Sequence, residues 1–171
     1  GFRYANGGAQ EFFGVTPDLA TFGKGLANGY PVSAIAGKKE IMTLMEEIFF
    51  SFTFGGEALS LAAAYATLSM LQRKPILKEI NHKGEYLMRN LNTLILDFGL
   101  NDIASVEGYP CWSFFVLKPT EWATVEELKT LFMQIMFENG IYTLGTHNLS
   151  YSHSIKNIDT LLKSYSIYFE Q

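Results

Sequence analysis

The feature that most constrains this chain is where its glycines fall. More than half of the 15 glycines lie in residues 1–37, each beside a different apolar or polar partner. Glycine in that density supplies turns and close backbone approaches, so the segment predicts short strands and tight loops. From residue 57 onward the pattern changes to long helical periodicities. Thr16-Pro17-Asp18 and Asn28-Gly29-Tyr30-Pro31 are turn signals, and they bracket two strand candidates, Leu19–Phe22 and a buried Val32–Ala36. The apolar spacing of Lys38–Ile48 predicts a helix. The alanine-rich stretch Glu57–Gln72 predicts a second, buried one. These elements are too few to close on themselves and read as one flank of a larger sheet.

The rest of the chain has a fuller set. Pro75 suits the first turn of a helix running to about Phe98, with an inner stripe at Ile76, Ile80, Leu87, Leu91 and Leu94/Ile95 and Gly99 as its stop. Ile103–Val106 and Trp112–Leu117 predict strands joined through Gly108-Tyr109-Pro110. Thr124 and Glu127 form a capping-box signature ahead of a stripe at Val125, Leu128, Phe132, Ile135 and Met136, and Asn139-Gly140 ends that helix. Ile141–Leu144 predicts a short strand. Ser154 can cap a last helix with Ile158, Leu161/Leu162, Tyr165 and Tyr168 inward. The order α–β–β–α–β–α is a small α+β unit. No repeat is visible. The domain reading is 1–73 and 74–171.

Composition removes several function classes. With 13 Lys+Arg against 17 Asp+Glu, the net charge of −4 over 171 residues argues against a generally basic nucleic-acid binder. The single Cys111 rules out a disulfide-stapled scaffold. No apolar run approaches the roughly 18 residues of a membrane span. The first residue is Gly1, not Met, so a missing targeting segment carries little meaning.

The sharpest local feature is Thr21-Phe22-Gly23-Lys24-Gly25-Leu26. A lysine at the end of a short apolar strand, with glycine on both sides, leaves room for a planar cofactor against the backbone. Its amine can form an imine with a carbonyl, provided desolvation or a nearby cation favours the neutral form over the ordinary pKa of about 10.4. The plainer reading is a surface lysine in a glycine turn. A phosphate-binding Walker loop is excluded, because Gly25 stands where Ser or Thr must hold magnesium.

The run Pro17-Asp18-Leu19-Ala20-Thr21-Phe22-Gly23-Lys24-Gly25-Leu26-Ala27-Asn28-Gly29-Tyr30-Pro31 resembles the active-site signature of the class III (fold-type I) pyridoxal-phosphate aminotransferases, in particular the glutamate-1-semialdehyde aminomutase-like branch. Three other segments fit. Gly1-Phe2-Arg3 resembles the piece after the family's cofactor-binding aspartate, Thr53-Phe54-Gly55-Gly56-Glu57 its phosphate-contacting loop, and His153-Ser154 to Ile158-Asp159 its C-terminal His-Thr…Asp-Ile stretch.

The resemblance implies an α/β fold: the end of the fold-type I large domain followed by a small α+β C-terminal domain. It implies that Lys24 holds pyridoxal 5′-phosphate as a Schiff base and moves the α-proton, and that Thr53 contacts the cofactor phosphate. The partners implied are an amino-group donor and a carbonyl acceptor, with a homodimer in which the Thr53 loop serves the neighbouring site. No nucleic acid or membrane partner is implied, and the expected location is the cytoplasm. Phe52 stands where close relatives often carry Gly. The resemblance spans only the carboxy-terminal portion of the family. The aspartate for the pyridine nitrogen, the phosphate cup and the ring-stacking aromatic are therefore expected upstream of Gly1. A different reading follows for the 171-residue piece by itself: a non-catalytic, self-associating module.

Other residues point to chemistry less sharply. His147 and His153, six apart, read as a polar loop and a hydrogen bond at the start of the last helix rather than as a metal pair. His82 reads as solvated, Glu57 as either a cofactor neighbour or a helix-dipole carboxylate, Arg3 as a surface ion pair or a carboxylate binder, and Cys111 as a small buried hydrophobe. The phenylalanines at 49, 50, 52 and 54 read as an interface lining or a stacking platform. An exposed apolar surface is expected there and along Glu57–Tyr65.

Overall fold

A computed structural model describes all residues, Gly1–Gln171. The chain forms two compact units, Gly1–Leu77 and Lys78–Gln171.

In the first unit, a short helix α1 (Ala9–Phe12) that the sequence did not signal precedes β1 (Leu19–Phe22). β1 pairs antiparallel with β2 (Ala34–Gly37), Leu19 opposite Gly37 and Phe22 opposite Ala34. The Lys38 amide donates to the Asp18 carbonyl (3.0 Å) and the two side chains form an ion pair, which closes the open end of the hairpin. β2 starts two residues later than expected and is exposed throughout rather than buried. The helix expected over 38–48 is only α2 (Lys39–Met42) followed by a 3₁₀ turn, Thr43–Glu46. Leu44 and Ile48 lie exposed, so no packed face offsets the nucleation cost of a short helix. α3 (Ala58–Arg73) forms where expected, held by alanine-rich propensity, yet it buries only Ser60 and Ala64. The expected apolar surface is present: Phe49 is 97% exposed, and Phe50, Phe52, Phe54, Leu59, Leu61 and Tyr65 are all exposed.

The second unit has a real core. α4 (Ile76–Asp97) buries Ile76, Ile80, Leu87, Leu91 and Ile95, and ends before Gly99, whose φ of 68° is the left-handed stop. The antiparallel sheet β3–β4–β5 follows, from β3 (Ala104–Tyr109), β4 (Trp112–Leu117) and β5 (Thr146–Asn148). Ser113, Phe115 and Leu117 of β4 face inward. α5 (Val125–Glu138) carries the expected Thr124–Glu127 capping box, and α6 (Ile155–Phe169) a second one between Ser154 and Asn157. Phe115, Phe132 and Tyr165 pack ring to ring at 5.0–5.4 Å between sheet and helices.

Two expectations shift here. The β3–β4 turn is Pro110–Cys111, because Gly108 stays in the ladder opposite Ser113. Its missing Cβ, at a φ of 97°, lets the Trp112 carbonyl approach. Ile141–Leu144 is not a strand. Gly145, at a φ of 86°, turns the chain so that its carbonyl meets the Phe115 amide at 2.7 Å, and pairing begins only at Thr146.

Gly84 sits inside α4, where helix propensity alone favours alanine by about 1 kcal/mol. A Cβ there would land on the Pro110 carbonyl of the hairpin turn. Gly84→Ala is therefore expected to destabilise the protein by about 1–3 kcal/mol, read as a lower urea midpoint at unchanged slope. Stabilisation would mean that the turn yields.

Candidate functional site

Lys24 opens a 3₁₀ turn (Lys24–Leu26) directly after β1, on the loop between β1 and β2. Leu26 and Ala27 are buried against Phe2, Phe22, Val32, Ala63 and Ala64, so the turn is pinned to α3 from its far side. Its backbone closes through Leu26 N–H to Gly23 O (3.1 Å) and Asn28 N–H to Lys24 O (3.1 Å). Lys24 itself has a φ of 47°. A non-glycine residue in the left-handed region costs on the order of 1–2 kcal/mol, and such strain persists where the surrounding structure enforces it. The flanking glycines keep the approach open: a Cβ on Gly25 would touch only the Phe2 ring, at 3.7 Å. The Lys24 side chain is exposed and makes no ion pair or hydrogen bond. A firmly held backbone thus presents an uncommitted primary amine.

Thr53 lies in the turn before α3. The Gly55 amide donates to the Phe52 carbonyl at 3.1 Å, and the Phe52 ring folds over Gly55, 3.3 Å from where a Cβ would sit. Phe52 also meets Phe50 edge-on at 5.0 Å. The residue that departs from the family pattern therefore packs against the turn and leaves the exposed Thr53 hydroxyl without a partner. Glu57 is the N-cap of α3. Its carboxylate accepts from Leu59 N (2.8 Å), Ser60 N (2.6 Å) and the Ser60 hydroxyl, and these bonds, the hydroxyl's first, hold its pKa below the usual range.

A family profile for class-III aminotransferases matches residues 5–161. The chain belongs to that family. Among the relatives of this chain is a glutamate-1-semialdehyde 2,1-aminomutase of Fusobacterium nucleatum, 36% identical across all of this chain and 43% of the relative. A 3-aminobutyryl-CoA aminotransferase of Cloacimonas acidaminovorans is 32% identical over 92% of this chain and 38% of its own length. The chain thus spans about two fifths of these relatives. The fold matches the pyridoxal-phosphate internal aldimine form of the FumI protein of Sphingopyxis, with a TM-score of 0.85, 25% identity and coverage of 99% of this chain and 40% of that one. A β-phenylalanine aminotransferase from Variovorax paradoxus matches at a TM-score of 0.84 and 23% identity, covering 98% and 42% of the two chains, and supports the fold alone. The architecture is therefore the C-terminal part of the fold-type I transaminase fold.

The residues of this aminotransferase chain fit a pyridoxal phosphate. The uncommitted Lys24 amine suits an aldehyde, and the unpartnered Thr53 hydroxyl suits a phosphate oxygen. A cavity of about 760 Å³ lies in the second unit, lined by Tyr142, Leu144, His147 and His153 among others, and holds neither residue.

The histidines divide. His153 Nδ1 accepts from the Ser150 amide at 3.2 Å, the expected bond ahead of α6, and His82 is exposed as expected. No group of three or more His, Cys, Asp or Glu is placed to hold a metal. His147 is not in a polar loop. It is 3% exposed on β5, with Nδ1 2.9 Å from the Ser113 hydroxyl and Nε2 2.7 Å from the Tyr165 hydroxyl. Desolvation lowers its pKa to about 4 and pushes the Tyr165 phenol well above its ordinary value. One signal for this chain was available: Ser113 at an inward strand position and Tyr165 in an apolar helix stripe both need buried partners. Cys111 is buried, as expected. No helix is long and apolar enough to cross a membrane.

Proposed function

We propose that the protein containing this chain is a pyridoxal-phosphate enzyme that moves an amino group, either from an amino compound to a carbonyl acceptor or within one molecule, in the cytoplasm. The observation that carries this reading is Lys24: an uncommitted amine on a strained, glycine-flanked turn that is pinned from behind. When bound, the cofactor supplies the electron sink that lets a C–H beside nitrogen ionise. Lys24 Nζ would hold the cofactor through its aldehyde and would serve as a free amine while a substrate amine is bound. The same Nζ then accepts the α-proton and returns it to another carbon, acting as base and then acid. The buried Leu26–Ala27 anchor fixes the backbone from which Nζ reaches for both transfers.

Thr53 donates its hydroxyl to the cofactor phosphate, in the site of a neighbouring copy. The exposed phenylalanines beside it suit a face covered in a homodimer. Residues 1–73 are the end of the cofactor-binding domain, and residues 74–171 are the small domain.

Borohydride treatment of the full-length protein with pyridoxal 5′-phosphate, followed by peptide mapping, is expected to place the adduct on the peptide holding Lys24. An adduct elsewhere, or none, removes the reading.

A further inference from the structure

We propose that Glu57 is a positioning residue for the phosphate-contacting turn: its carboxylate grips two amides and a hydroxyl in the first turn of α3 and so fixes the Thr53 turn as the element that meets the phosphate. This rests on the reading of Thr53 given above. Free amides at a helix N-terminus attract anions, and α3 begins straight after the turn. Here two of them are taken. Leu59 N, Ser60 N and the Ser60 hydroxyl all bond to Glu57, and Ser60 is buried, so the carboxylate is gripped rather than free to swing.

The backbone carries the constraint to Thr53. The Gly55 amide bonds to the Phe52 carbonyl at 3.1 Å, the Glu57 amide to the Phe54 carbonyl at 3.4 Å, and the Leu61 amide to the Glu57 carbonyl at 3.1 Å. These overlapping backbone bonds tie the Thr53 turn to the first turn of α3. Holding Glu57 therefore sets the direction in which Thr53 presents its hydroxyl.

The test compares dissociation constants for pyridoxal 5′-phosphate and phosphate-free pyridoxal in the full-length protein. Thr53→Ala is expected to weaken the phosphorylated ligand by about three- to tenfold, the span of one lost hydrogen bond, and to leave pyridoxal unchanged. Glu57→Ala is expected to reproduce that selective loss, and Glu57→Asp, a good cap, to restore most of it. A residue that only supports the fold would weaken both ligands together. Should Glu57→Ala not fold, Glu57→Gln takes its place with the same selective loss expected in smaller degree. Selectivity lost in Thr53→Ala but not in the Glu57 variants overturns this inference alone. No selectivity in Thr53→Ala overturns the reading of Thr53, and this inference with it.

Discussion

Lys24→Ala in the full-length protein is expected to abolish borohydride-fixed attachment of the cofactor and to lower amino-group transfer by about 10²–10⁴-fold or more. That range is the contribution of one positioned proton-transfer group, and here the same atom is also the covalent anchor. The fold should survive. Lys24 makes no side-chain bond, and the turn is held by Leu26 and Ala27. Alanine keeps a Cβ at the same φ, so the change in unfolding free energy should stay within about 0.5 kcal/mol. Lys24→Arg separates charge from nucleophilicity: guanidinium keeps the positive charge but offers no neutral amine, so it should fail as fully as alanine. Wild-type turnover in either variant would remove Lys24 from the chemistry.

Acid is expected to unfold the second unit through His147. The imidazole, neutral and buried, uses one nitrogen as donor and one as acceptor toward the two hydroxyls of Ser113 and Tyr165. Protonation makes both nitrogens donors, turns one hydroxyl hydrogen away, and leaves a charge with no carboxylate against it. Burial holds the folded pKa near 4, against an ordinary 6.5. The unfolded chain therefore binds more protons between those values. The stabilisation is complete above about pH 6.5 and falls as pH drops toward 4, by about 3 kcal/mol in total. Urea midpoints across that window measure the slope, and His147→Gln should flatten it. A His147 imidazole resonance in the intact protein that titrates near 6.5 without loss of structure would contradict the expectation.

The legible features were those whose cause is local. The Thr124–Glu127 capping box, the Ser154 cap, the inner stripe of α4 and the Trp112–Leu117 strand each follow from side chains within one turn or one pleat of each other. The Lys24 motif was equally legible, because two glycines and a strand end lie beside it in the chain. The misread features depended on something distant. Val32–Ala36 and Glu57–Gln72 are apolar enough to be buried, but burial needs a covering surface, and within this unit none covers β2 or most of α3. His147 looked polar because its neighbours Thr146 and Asn148 are polar. Its partners come from positions 34 residues before it and 18 after.

The sequence by itself determined the four long helices, the Thr124–Glu127 cap, the Gly-Lys-Gly turn and the family, since each is encoded in residues a few positions apart. Only the tertiary structure decided that Gly84 must stay glycine against its own helix propensity and that a histidine in a polar run lies between two buried hydroxyls. Those are matters of which atoms meet across the fold, and hydrophobic periodicity carries no record of them.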